Sequence, residues 1–245
     1  MKRRICVVAA LALVPASAAG VTQREAKKAV VVVRPEVDGT TSVVWRVPKG
    51  SVIRRTAIPG QFRAPLVAPG DTARGRATSG PVLLERTDNP DGVSEFRLIE
   101  SRPEMAPVIR LPGRWSFDAI SPDGEIVFLL QHDVGGDPTH YAVRAYDVTK
   151  GRLMPGRIVD KREYNEQMSG NPVWREYGPG RRWAYTLYER PGGTPFIHAL
   201  DTSSAIAVCI DLPGGLAKSG LMHSLRLRAH TAGKRLSSSI RRAPE

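Results

Sequence analysis

Trp115-Ser116-Phe117-Asp118-Ala119-Ile120 runs into Ser121-Pro122-Asp123-Gly124 and then into the apolar run Ile126-Val127-Phe128-Leu129-Leu130. Two short segments rich in β-branched and aromatic residues, separated by turn formers, read as a strand, a tight turn and a second strand. Pro122 fixes one φ angle of the turn and Gly124 tolerates a positive one. After a polar loop, Tyr141 to Tyr146 supplies a third strand that ends at Asp147, whose carboxylate is placed to bond the backbone of the turn Val148-Thr149-Lys150-Gly151. Leu153 to Val159 reads as a fourth strand.

Neighbouring segments imitate this unit. Before it, Val82 to Arg86, Glu95 to Glu100 and Val108 to Arg110 read as strands, with Asn89-Pro90-Asp91-Gly92 as a turn. After it come Val173 to Tyr177, Trp183 to Tyr188, Phe196 to Leu200 and Ala205 to Leu212. The acidic ends of three matching strands, Glu100, Asp147 and Asp201, are 47 and 54 residues apart. Pro-Gly marks at Pro59, Pro112 and Pro213 are 53 and 101 apart, the second being about two periods. Helical periodicity is scarce, and a period near 50 suits four-stranded propeller blades of about 40 to 50 residues.

Ser121-Pro122-Asp123-Gly124 before a strand, and a strand ending in Asp147 before Val148-Thr149-Lys150-Gly151, resemble the blade signature of bacterial YVTN-type and WD40-like β-propellers. The resemblance covers roughly Pro81 to Leu212 and implies an exported repeat protein with ligands or partners at a central channel. It brings no catalytic residue, because no catalytic motif of such a family is matched. The fold class expected is all-β, a propeller-like array of about four four-stranded blades, closed or incomplete. Two departures bear on closure. The third cycle replaces the turn with Gly178-Pro179-Gly180-Arg181, and the pattern fades after Leu212, where Leu225 to Arg228 alternates like a first strand and Ser237 to Glu245 is short and polar. A chain completed by another subunit, or a shortened relative of a larger propeller, fits better than a closed four-bladed ring. Open arrays leave strand edges that invite self-association.

Lys2, Arg3 and Arg4 precede an apolar run from Ile5 to Val14, and Ala16-Ser17-Ala18 has the small-residue spacing of a signal peptidase site. About ten apolar residues are too few to cross a bilayer that needs roughly 20. The expectation is therefore a signal peptide over residues 1–20, an irregular β part over 21–80 that can hold a first blade, blades over 81–215, and a basic tail or incomplete blade over 216–245. Localisation would be extracytoplasmic, with no membrane span after cleavage. Cleavage leaves Cys209 as the only cysteine, which excludes an intramolecular disulfide, and its apolar setting, Ala205 to Ile210, reads as core.

The net charge of +12 is unevenly placed. Three positive charges leave with the leader and a net six belong to Gly214 to Glu245, so the body is near +3. The basicity is that of a tail and not of a broad nucleic-acid-binding patch. No Gly-rich stretch follows a buried strand and opens a helix, which excludes a phosphate cradle. Nor is there a Gly-x-Ser-x-Gly elbow.

The densest group of ligating side chains is His132, Asp133, Asp137 and His140, on one loop between two strands. Two imidazoles and two carboxylates suit a divalent metal if the loop folds them together, whereas Gly135-Gly136-Asp137-Pro138 is also ordinary hairpin chemistry. His198 alternates with Ile197 and Ala199 on a strand and reads as a satisfied or surface histidine. Trp115, Trp174 and Trp183 read as packing between blades. The functional expectation is an exported, non-catalytic binding or interaction module for an unknown protein or small ligand, without a cofactor. The alternatives are a propeller enzyme such as a lactonase-like hydrolase, which requires carboxylates or histidines converging from the innermost strands, and polyanion binding by the tail.

Overall fold

The turn at Ser121 to Gly124 closes as its residues dictate. Gly124 takes φ +80°, Ser121 Oγ donates to Asp123 Oδ1, Glu125 N–H donates to Asp123 Oδ1 (3.0 Å), and Ile126 N–H donates to Ser121 Oγ (2.9 Å). The flanking strands then pair antiparallel, with Ile120 opposite Val127. In the computed structural model, described for residues 30–47, 50–64, 81–88, 91–99, 107–132, 136, 140–163, 168–190, 192–213, 215, 222–229 and 236–240, such meanders follow one another along the chain. The signal-peptide reading at residues 1–20 lies outside the described residues.

Sheet 1 is β1 (Val30–Pro35), β2 (Thr40–Arg46) and β3 (Val52–Pro59). Sheet 2 is β4 (Phe62–Arg63), β5 (Val82–Arg86), β6 (Val93–Ile99) and β7 (Val108–Pro112). Sheet 3 is β8 (Trp115–Ile120), β9 (Ile126–His132), β10 (His140–Asp147) and β11 (Arg152–Leu153), with β12 (Met168–Ser169) pairing the other end of β10. Sheet 4 is β13 (Asn171–Tyr177), β14 (Trp183–Glu189), β15 (Phe196–Asp201) and β16 (Ile206–Asp211). Sheet 5, among the described residues, is β17 (Leu225–Ala229) and β18 (Leu236–Ile240). Each sheet is ordered as the chain runs and its strands pair antiparallel. The protein is thus an all-β, propeller-like array.

Consecutive sheets pack face to face, which explains the apolar run that lacks alternation. Along β9, Val127 and Leu129 join Leu83, Phe96 and Ile109 of sheet 2, while Phe128 and Leu130 join Tyr188, Phe196 and Leu200 of sheet 4. A strand covered on both faces needs apolar residues at every position. Sheet 1 meets sheet 2 through Val31, Val43 and Trp45 against Phe62, Leu84 and Ile99. Sheet 4 meets sheet 5 through Val173, Leu187 and Ile197 against Leu225 and Leu227.

Two hydroxyls tie one sheet to the next. Thr41 at the start of β2 donates to the carbonyl of Gly60 (2.7 Å) and accepts from Phe62 N–H (2.8 Å), the first residue of sheet 2. Ser94, near the start of β6, likewise bonds the Gly113 carbonyl (2.9 Å) and Trp115 N–H (2.9 Å), the first residue of sheet 3. The Pro-Gly marks at Pro59 and Pro112 are the crossing points, with Gly60 and Gly113 at φ +100° and +87°. Thr41→Val keeps the shape and strands the buried Phe62 N–H, so it should cost about 1–3 kcal/mol in a urea melt. A change within a few tenths would mean that this junction is held by packing alone.

Aspartates at the ends of third strands hold the turns that follow. Asp147 accepts from Lys150 N–H (2.8 Å) and Asp201 from Ser203 N–H (3.0 Å). Burial alone would raise the Asp201 carboxyl, but the Arg182 guanidinium, 2.7 Å away, and the Ser203 N–H hold it below its ordinary value. With the folded pKa depressed, the stabilisation is present above the unfolded value near ~3.9 and is lost as pH falls through the folded one. Asp201→Asn should therefore lower urea midpoints at pH 7, with the gap to wild type closing below about pH 4. An equal gap at pH 7 and pH 3 would exclude a charge effect.

Candidate functional site

The face of sheet 4 that meets sheet 3 is apolar at its ends and polar through its middle. Cross-strand register places Arg175 on β13 opposite Thr186 on β14, Thr186 opposite His198 on β15, and His198 opposite Cys209 on β16. These four side chains form one row that crosses the sheet from its first strand to its last. A bulge at Asp118, where the β8 register shifts between Phe117 and Ala119, aims a carboxylate at the row from sheet 3. Arg175 Nη2 donates to Asp118 Oδ1 (3.0 Å), its Nε donates to Thr186 Oγ1 (3.0 Å), and its guanidinium lies 5.2 Å from the Phe117 ring centroid. Nearby, Arg175 Nη2 also donates to the Phe117 carbonyl (3.4 Å) and Ile120 N–H donates to the Tyr177 hydroxyl (3.2 Å), so three hydrogen bonds join the first strands of sheets 3 and 4.

Apart from the half-buried Cys209, the row is closed off from solvent. Asp118, Thr186 and His198 are at most 1% exposed and Arg175 is 4% exposed, which makes their ion pair a fully desolvated one. Burial drives the Tyr141 and Tyr188 hydroxyls far above the ordinary phenol range, and for Tyr188 the neighbouring Asp118 carboxylate adds to the effect. Burial also lowers His198, against the pull of Asp118, so its imidazole is neutral near pH 7. Asp118 Oδ2 and His198 Nε2 are buried without a protein hydrogen-bond partner, and the buried Tyr141 and Tyr188 hydroxyls act on each other without a bond of good geometry. Four polar atoms so poorly satisfied around one interface are an unusual cost for a native core.

Cys209 closes the outer end of the row. Its Sγ lies 3.8 Å from His198 Nδ1 and 4.0 Å from Met168 Sδ on β12. The charged insertion after Asp160 crosses to this strand: Cys209 N–H donates to Asp160 Oδ2 (2.7 Å), Lys161 N–H donates to the Ala207 carbonyl (3.1 Å), and Arg162 bonds both the Asp160 carboxylate and the Cys209 carbonyl.

His132 and His140 sit at the facing ends of β9 and β10, and His132 shares a 2.7 Å hydrogen bond with Ser116 Oγ. Asp133 and Asp137, the other two members of the loop group, lie outside the described residues. Among the described residues no three of His, Cys, Asp and Glu converge as a metal site. His198 differs from its sequence reading, being neither at the surface nor satisfied at Nε2. The sequence carried no local sign of the row, whose members are 11, 12 and 11 residues apart, although each holds the same place in the alternation of its strand. On the first strands, Asp118 pairs with Arg175 between sheets 3 and 4. Glu176, raised by burial against the pull of Arg228, lies on the opposite face of sheet 4. These two carboxylates therefore do not share a site. Trp115 is buried between sheets 2 and 3 and Trp174 lies 4.3 Å under the Arg226 guanidinium, while Trp183 stacks on Tyr185 within its own strand.

No protein-family model and no curated protein sequence matches the chain. Among solved structures it is similar to TolB from Acinetobacter baumannii, with a TM-score of 0.47 and 13% identity over 78% of this chain and 43% of that one. It is also similar to a putative TolB from Agrobacterium tumefaciens (0.37, 14%, 76% and 70%) and to the periplasmic gluconolactonase of Pseudomonas aeruginosa (0.35, 12%, 76% and 68%). The chain thus spans less than half the length of the Acinetobacter TolB. These likenesses are distant, and the architecture rests on the sheets described above. No helix among the described residues is long and apolar enough to cross a membrane.

Proposed function

We propose that this chain is an exported, non-catalytic binding module that works through the β18 edge of sheet 5, and that a second copy of the chain pairs there. One observation carries the reading: Ile206 and Ile210, 44% and 45% exposed, alternate along β16 on the Ile197 face of sheet 4, where the core shared with sheet 5 contains, among the described residues, Val173, Leu187 and Ile197. In sheet 5, β18 reads Leu236-Ser237-Ser238-Ser239-Ile240, without the charge or proline that commonly guards an edge strand. By contrast, β1 ends in Arg34-Pro35 and β7 carries Arg110 and Pro112. Antiparallel pairing of β18 with β18 of a second copy gives a four-stranded sheet, the commonest size in this chain, and is an isologous contact that closes on itself. Export is supported by the basic, apolar and small-residue order of the first 18 residues.

Light scattering after size exclusion tests the pairing. A dimer is expected, and both Ser238→Lys, which puts a charge on the edge strand, and Ile206→Lys should convert it to a folded monomer. A wild-type monomer at every concentration, or a dimer indifferent to both changes, would overturn the reading.

A further inference from the structure

At the outer end of the polar row Cys209 Sγ stands close to two further metal donors, each from another strand. Cys209 Sγ on β16 stands 3.8 Å from His198 Nδ1 on β15 and 4.0 Å from Met168 Sδ on β12. Bond lengths of about 2.3 Å to sulfur and about 2.0 Å to imidazole nitrogen put two donors on one ion roughly 3.5–4 Å apart. We propose that Cys209, His198 and Met168 form a binding site for a single Cu(I) ion.

The donor set selects the ion. A thiolate with a thioether is a soft pair that favours Cu(I), whereas divalent zinc is held by thiolate, imidazole and carboxylate. Charge points the same way: one thiolate neutralises one monovalent ion, and the site borders an apolar core of Tyr141, Tyr188, Phe196 and Ala207 where a residual charge would be costly. The thiol proton leaves to solvent when the ion binds, and no redox step is involved.

The surroundings fix the donors. The Cys209 backbone is held at both its N–H and its carbonyl by Asp160 and Arg162, His198 is wholly buried, and Met168 is 1% exposed within the core cluster. Cys209 itself is half-buried on the last strand, which gives an ion a way in from solvent. Ligands held by a second layer of hydrogen bonds are a general feature of metal sites.

The test uses the full chain carrying Cys6→Ser, so that Cys209 is its one thiol. Titration with Cu(I) against a chromophoric chelator should show one ion retained per chain together with thiolate-to-copper absorption. X-ray absorption of the same sample should show two sulfur neighbours and one nitrogen neighbour. Cys209→Ser should abolish the absorption, and Met168→Leu, which nearly preserves core volume, should weaken retention at least tenfold, roughly 1.4 kcal/mol. Failure of the folded chain to retain one ion, or a copper shell lacking sulfur, would overturn the proposal. Retention unchanged in both variants would overturn it equally.

Discussion

Arg175→Met should destabilise the folded chain by about 3–5 kcal/mol, because it leaves the Asp118 carboxylate buried with its charge uncompensated. The partners sit 4% and 1% exposed and 3.0 Å apart, and the same guanidinium also serves Thr186 and the Phe117 ring. Urea melts would show the loss directly. The pair need not add net stability, however, since two desolvated charges are costly to bring together. The double change Asp118→Leu with Arg175→Met should therefore recover most of the loss. If the double variant is as unstable as Arg175→Met alone, the ion pair itself supports the junction between sheets 3 and 4. If Arg175→Met alone is nearly neutral, the carboxylate is not isolated from water.

Tyr188→Ala should cost about 3–5 kcal/mol, as removal of a large core ring generally does. The ring is the middle of a stack, with its centroid 5.5 Å from that of Tyr141 and 5.0 Å from that of Phe196, and it meets His198 edge-on. Tyr188→Phe separates ring from hydroxyl. Because Tyr188 Oη faces only the Tyr141 hydroxyl, with poor geometry, its removal should change stability by less than about 1 kcal/mol in either direction. A larger loss in the phenylalanine variant would mean that the hydroxyl is well bonded, to Tyr141 or to a buried water.

Most strands were legible because their signals are local, whereas the fourth strand read over Leu153 to Val159 is in the fold only the pair Arg152–Leu153. Pro122 and Gly124 shape one turn, Asp147 caps the next, and the unalternating run from Val127 to Leu130 announces burial on two faces. Sheet-to-sheet contacts were not legible in the same way. Thr41 and Ser94 look like ordinary strand hydroxyls until the chain crossing at Gly60 and Gly113 is known. The row from Arg175 to Cys209 depends on the register of four strands, and Asp118 reaches it only through a bulge of one residue. Cys209 has no histidine near it in sequence, and pairing of β15 with β16 supplies one. For His198 the alternation gave a choice of two faces, and only the packing of sheet 3 shows that the polar side chain faces inward.

The clasps at Thr41 and Ser94 also have a direction. Each is made by a residue that precedes, by about 20 positions, the strand it captures, Phe62 in one case and Trp115 in the other. As a chain emerges from its N-terminus, the holder of every such joint is therefore in place before the part it holds. With strands pairing mainly to their immediate successors, loop closure is short at each step and the search for partners stays local. The array is laid out to grow one sheet at a time, each new sheet beginning on the rim of the last.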